Sequence, residues 1–115
     1  MSSEFIYHMC PKSGWREAVQ TGEYAGTPLD LKDGFIHFST ADQVEQTAAL
    51  HLSGVAGLVL LKVPVDAVTD ALKWEKSCDG ALFPHLYRPL KCDEVIDVTE
   101  LELDDEGRHQ FPPLS

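Results

Sequence analysis

Gly34-Phe35-Ile36-His37-Phe38-Ser39-Thr40 reads as a short apolar strand running into the N-cap of a helix. Strand side chains alternate, so Phe35, His37 and Ser39 are expected on one face and Ile36, Phe38 and Thr40 on the other. Thr40 followed by Gln43 fits a capping box, in which each side chain bonds the other residue's backbone N–H. The free N–H groups of that first turn could hold an anion or a polarised carbonyl. The stretch reads equally as a satisfied core histidine beside an ordinary helix cap. Downstream, Trp74-Glu75-Lys76-Ser77 and Phe83-Pro84-His85-Leu86-Tyr87 look like further walls of a pocket. With His8, these stretches are expected to form one small-molecule site.

Before this stretch, Glu4 to Cys10 reads as a first strand, with Phe5, Tyr7 and Met9 on one face and Ile6, His8 and Cys10 on the other. Pro11 lacks an N–H and should end it. Ser13 to Gly22 reads as a short helix with Trp15, Ala18 and Val19 as its apolar stripe. Glu23 to Asp33 is expected to be irregular, a lid or rim closed by an Asp33-Gly34 turn. Beyond the central stretch, a helix is expected from about Thr40 to Ser53. Gly57 to Val63 is the most apolar run and reads as the central strand. Leu72 to Lys76 and Leu82 to Tyr87 read as extended, with an Asp79-Gly80 turn between them. From Asp93 to Glu106 the chain carries eight acids and no base, as a charged edge strand would. Its apolar phase slips between Val98 and Leu101, which predicts a bulge or bend there. The tail, residues 107–115, is expected to be loosely held.

The chain has 115 residues, enough for a single domain with its own core, placed at about residues 4–104. Its formal charge of −10, with only nine basic residues, excludes ordinary nucleic-acid binding and disfavours an anionic membrane surface. No apolar run is long enough to span a bilayer. Cys10, Cys78 and Cys92 cannot all pair with one another and have no zinc-ligand spacing. Without a leader-like segment, a cytoplasmic location is expected.

Of five histidines, His8, His37 and His85 lie in apolar strand-like surroundings. A buried imidazole needs bonded nitrogens, and imidazole exchanges protons near neutral pH. Glu75, beside Trp74, could steady a cationic transition state or pair with Lys73 or Lys76. His85 and Tyr87 stand two apart on an extended chain, hence on one face, as a stacking and orienting pair would. The candidate catalytic residues are therefore His8, His37, Glu75 and His85. Ser39, Thr40, Trp74, Ser77 and Tyr87 are the candidate ligand-binding residues. No G-x-S-x-G, P-loop, G-x-G-x-x-G or H-E-x-x-H motif occurs, and no tightly bound metal or cofactor is expected.

Ile6-Tyr7-His8, Trp15, Ala18, Gly22-Glu23-Tyr24, the run from Gly34 to Thr40 with Gln43, Leu58-Val59-Leu60-Leu61, Trp74-Glu75 and Phe83-Pro84-His85-Leu86-Tyr87 together resemble domain-of-unknown-function family 952. The likeness spans about Phe5 to Leu103. It implies an α+β fold with a small mixed or antiparallel split sheet and two main helices, similar to the ADP-ribosyltransferase superfamily. Those enzymes hold NAD in a cleft between two small sheets. By that analogy His8 would contact the nicotinamide ribose, His37 or Tyr87 would stack on nicotinamide, and Glu75 would steady the oxocarbenium-like transition state. Glu75 departs from the superfamily pattern, since it belongs to neither a Gln-x-Glu nor a Glu-x-Glu pair. The expected function is chemistry on NAD or a related nucleotide. The alternatives are a noncatalytic metabolite-binding module, or an interaction domain using the acidic C-terminal strand.

Overall fold

The computed structural model describes residues 4–77 and 80–114. In chain order the elements are β1 (Phe5–Pro11), α1 (Lys12–Thr21), β2 (Glu23–Tyr24), α2 (Pro28–Asp33), β3 (Ile36–His37), β4 (Ser39–Thr40), α3 (Val44–His51), β5 (Leu58–Pro64), β6 (Leu72–Lys76), β7 (Leu82–Leu86), β8 (Leu90–Lys91) and β9 (Asp97–Leu101). They form an α+β fold with three helices. A four-stranded sheet runs β4-β1-β5-β9, a three-stranded sheet runs β3-β7-β6, and β2 pairs with β8. All of these pairings are antiparallel.

The larger sheet has a core on each face. β1 and β5 pair along their full length, from Phe5 opposite Pro64 to Pro11 opposite Leu58. Ile6, Cys10, Val59, Leu61 and Val63 pack inward with Ile36, Phe38 and Leu86 of the other sheet region. Tyr7, Leu58, Leu60 and Leu101 pack outward with Val44 of α3. The continuous apolar run of β5 follows from burial on both sides. His8, registered opposite Leu61, therefore projects into the core between the sheets.

The stretch from Gly34 to Thr40 is not one strand. Ile36 and His37 pair with Leu86 and His85, whereas Ser39 and Thr40 pair with Tyr7 and Ile6. The chain changes sheets at Phe38, whose N–H bonds the Pro84 carbonyl at 3.0 Å. Simple alternation therefore fails across the stretch: Ser39 is buried beside Tyr7, away from His37. The helix expected from Thr40 begins at Val44. Half of the expected capping box forms, the Thr40 N–H donating to Gln43 Oε1 at 3.0 Å, with no return bond through the Thr40 hydroxyl among the described residues.

Three other expectations need correction. The segment 23–33 is ordered into β2 and α2. α2 starts with Thr27 as N-cap, Pro28 in its first turn, and a reciprocal capping box between Thr27 and Asp30. β9 has no bulge: its register runs unbroken from Leu101 opposite Leu58 to Asp97 opposite Lys62. Val98 and Leu101 simply take opposite faces, the first exposed and the second in the outer core. The tail is tied down rather than loose. Leu103 bridges His109, the Gln110 N–H donates to the Glu102 carbonyl at 2.8 Å, and Phe111 and Leu114 pack on the outer core. Cys78 and the Asp79 half of the expected Asp79-Gly80 turn lie outside the described residues. None of the described helices is long and apolar enough to cross a membrane.

Candidate functional site

Two clusters of polar side chains meet at His37. The inner cluster is built on β1. His8 Nδ1 lies 2.6 Å from the His37 carbonyl, which can only accept, so this nitrogen carries the proton. In the neutral ring Nε2 is then the acceptor, and the Tyr24 hydroxyl donates to it at 2.7 Å. The Tyr24 hydroxyl also faces the Cys10 thiol. Burial lowers the His8 pKa, and the Asp30 charge only partly restores it. Burial likewise pushes the Cys10 thiol up to about 11 and raises Tyr24. All three groups therefore stay uncharged near neutral pH.

Asp30 is buried at the hub. One carboxylate oxygen accepts from His37 Nδ1 at 2.5 Å and from the His37 N–H at 3.1 Å. The other accepts from the Thr27 N–H at 2.7 Å and lies 3.6 Å from His8 Nε2. Burial alone would raise its pKa, but the His37 hydrogen bond and the backbone N–H groups of Thr27 and His37 outweigh it and leave it lowered. His37 Nε2 is held by Asp33 at 3.1 Å. With both ring nitrogens facing carboxylates, His37 is stabilised as an imidazolium. The Asp30 hydrogen bond is the main reason its pKa is raised.

The outer cluster lies on one face of the three-stranded sheet, where His85 is registered between His37 and Lys73. His85 Nδ1 donates to Glu75 Oε1 at 2.8 Å, and the Tyr87 hydroxyl donates to the same oxygen at 2.5 Å. These two bonds, Tyr87 first, hold the Glu75 pKa below the usual carboxylate range; the carboxylate in return raises that of Tyr87. His85 Nε2 and Glu75 Oε2 have no partner among the described residues. Phe35 stacks on His85 with ring centroids 4.1 Å apart and also touches the His37 and Tyr87 rings. The His37 and His85 rings meet edge to face at 5.5 Å. Lys73 Nζ sits over the Tyr87 ring at 4.9 Å.

Of the nine sequence candidates, His37, Glu75, His85 and Tyr87 come together on this face. His8 lies behind it, 4% exposed and with both nitrogens bonded, so in this conformation it cannot reach a ligand. Trp74 points to the opposite face of its strand, registered with Pro84. Ser77 begins the hairpin turn, its N–H donating to the Ala81 carbonyl at 2.9 Å. Ser39 bonds Thr47 at 3.4 Å in the core, and Thr40 belongs to the other sheet. Arg88, next to Tyr87, is committed to Asp70 and Glu94. The residues missed from sequence are Asp30, Asp33, Tyr24 and Phe35. For Asp30 a signal existed: Thr27-Pro28-Leu29-Asp30 is an N-cap, an N1 proline and an acidic N3 residue.

Two surface concavities lie elsewhere, one between α1 and β9 at Trp15 and Val98, the other around Gly22 and Cys92. The outer cluster lies on the sheet face, lined by neither of them. Among the described residues no group of three His, Cys, Asp or Glu side chains converges to hold a metal ion.

An α+β protein of antiparallel sheets presenting a carboxylate-anchored histidine beside a second, doubly carboxylate-bound histidine is the class defined by this geometry. The chain belongs to the family described as "Protein of unknown function (DUF952)", whose profile matches residues 9–98. It is similar to protein CC0527 from Caulobacter crescentus at 44% identity. The crystal structure of that protein superposes with a TM-score of 0.88 over 92% of this chain and 93% of that one. Its solution NMR structure gives 0.83 over 92% and 91%. No functionally curated protein matches the chain.

Proposed function

We propose that this protein is a small-molecule enzyme in which His85, held by Glu75, exchanges a proton with a ligand on the face of the three-stranded sheet. One observation carries the reading. Glu75 fixes the His85 tautomer through Nδ1 at 2.8 Å and leaves Nε2 without a partner among the described residues. A carboxylate that orients an imidazole in this way is the arrangement of a general base. His37 supplies a fixed positive charge 5.5 Å away, ring to ring.

The substrate class to test first is NAD or a related nucleotide, bound without a tightly held metal or cofactor. The resemblance to ADP-ribosyltransferases supports this choice, as do the Phe35 and Tyr87 rings and the unpartnered Oε2 of Glu75. An anion held beside aromatic surface stabilises charge developing on a ribose better than one in water. The role that the resemblance gave His8 passes to His37 and His85, since His8 lies behind the site. Cys10 and Cys92 are unpaired, in keeping with a reducing, cytoplasmic setting.

The test is a thermal-shift panel of NAD, ADP-ribose, other nucleotides and glutathione, followed by an assay for release of nicotinamide. Glu75→Gln should retain most binding and lose about two orders of magnitude in rate, as removal of an electrostatic stabiliser does. Full activity in Glu75→Gln would remove this residue from the mechanism. Binding without turnover in the wild type would make the protein a noncatalytic module.

A further inference from the structure

Short helices ordinarily dock through apolar side chains. α2 does the reverse. Leu29 and Leu31 are 57% and 65% exposed, and the buried residue of the helix is Asp30. Its principal packing neighbour is β3, the strand that follows it in the chain. What fastens it is polar: Asp30 to His37 and Thr27, and Asp33 to His37. Asp30 takes up the His37 N–H on the free edge of β3, a place another strand would otherwise fill.

Both ends of α2 carry glycines in the left-handed region, Gly26 at φ 107° and Gly34 at φ 86°. Each can absorb a large backbone rotation that other residues resist. At Gly26 a Cβ would also stand 2.6 Å from Asp30 Cβ, so the carboxylate can swing in only because residue 26 has no side chain.

We propose that α2 is a hinged lid, latched by the Asp30 carboxylate, over the His8–Tyr24 pair. Closed, it places Asp30 Oδ2 3.6 Å from His8 Nε2. Open, it uncovers the hydrogen bond between His8 Nε2 and the Tyr24 hydroxyl beside His37, which a ligand able to both accept and donate can replace. The ligand suited to that pair carries a hydroxyl or amide, which both donates and accepts. The inference concerns access to the inner cluster and stands apart from the reaction proposed at His85.

Two measurements on the wild type test it together. Native-state hydrogen exchange should show the Leu31 and Gly34 amides opening with little dependence on denaturant. They should exchange at least about a hundredfold faster than the Leu60 and Leu61 amides of the central strand, as local openings do. Modification of His8 by diethyl pyrocarbonate, read by mass spectrometry, should run at the rate set by that opening rather than by global unfolding. Gly26→Ala and Asp30→Asn should each speed both readouts by about tenfold or more while leaving the central-strand amides in place. Should either variant unfold, the wild-type pair of readouts still decides. Exchange of α2 only with global unfolding would overturn the proposal. Fast exchange of α2 with an unreactive His8 would also overturn it, because the helix would then be fraying without uncovering anything.

Discussion

The molecule contains a histidine, a carboxylate and a tyrosine together twice: His8, Asp30 and Tyr24 inside, and His85, Glu75 and Tyr87 on the sheet face. Their wiring differs. Inside, the tyrosine donates to the histidine, the histidine donates to a backbone carbonyl, and no ring nitrogen is left over. Outside, histidine and tyrosine both donate to one carboxylate oxygen, and the far nitrogen of the imidazole has no partner among the described residues. Burial accounts for the difference. A buried donor or acceptor without a partner is costly, so the inner set closes on itself and becomes structure. The outer set can leave atoms for water, and therefore for a ligand.

The comparison breaks first at Asp30. Asp30→Ala removes the shared partner of His37, the Thr27 N–H and the His37 N–H, and leaves an imidazolium facing a gap. Loss of one member of a buried charged pair costs about 3–5 kcal/mol. Urea denaturation should show a fall of that order, whereas Glu75→Ala, at a solvent-facing carboxylate, should leave the midpoint essentially in place. Equal midpoints for the two variants would refute the division into an inner structural set and an outer chemical one.

Next comes Tyr24→Phe. It deletes the donor to His8 Nε2 without opening space for water, an unsatisfied buried acceptor worth about 1–3 kcal/mol. Tyr87→Phe removes a hydroxyl that solvent can replace, so its effect should appear in ligand binding instead. A double substitution pairing Tyr24→Phe with His8→Leu should recover part of the loss, because both polar partners are then gone. No recovery would mean that the Tyr24–Cys10 contact, or the His37 carbonyl that also loses its His8 donor, carries the energy rather than the Tyr24–His8 bond.

Legibility from sequence followed the same division. β1, α1, β5, β6 and β7 could be placed because their apolar periods are local and because Pro11, Gly22 and Pro64 mark where they stop. The outer set could be named because His85 and Tyr87 share a face by spacing alone, and Glu75 lies on the neighbouring strand. The inner set could not. His8 meets Tyr24 and the His37 carbonyl across sequence separations that no periodicity encodes, and Asp30 sits in a segment polar enough to pass for a loop. Ser39 and Thr40 were misplaced because a strand was taken as continuous where the chain crosses between sheets at Phe38. The acidic segment was read correctly as a sheet edge. Its expected bulge was an artefact of assuming that Val98 and Leu101 must share a face.

The smallest effect sharpens the comparison through pH. His37 and His8 are linked by one hydrogen bond, yet their pKa values move in opposite directions from the ordinary 6.5. For His37 the folded value is raised, by Asp30 and Asp33. Its contribution is complete below 6.5 and is lost as pH rises through the folded value, because only the folded state still holds that proton. For His8 the folded value is lowered. It contributes nothing above 6.5, and below that the unfolded chain takes up a proton that the buried ring refuses, so stability falls with pH. Cys10 and Tyr24, which face His8, have raised pKa values and stay neutral across this range. Asp30, lowered from 3.8, adds a further loss only at stronger acidity. From these groups, stability measured by urea denaturation should peak near pH 6.5 and decline on both sides. His37→Gln should abolish the decline that begins just above pH 6.5, below the range where the Cys10 thiol, raised from 9.0, starts to contribute, while keeping the acid one. If the alkaline decline survives that substitution, His37 is not held as a cation, and the fixed positive charge proposed beside His85 goes with it.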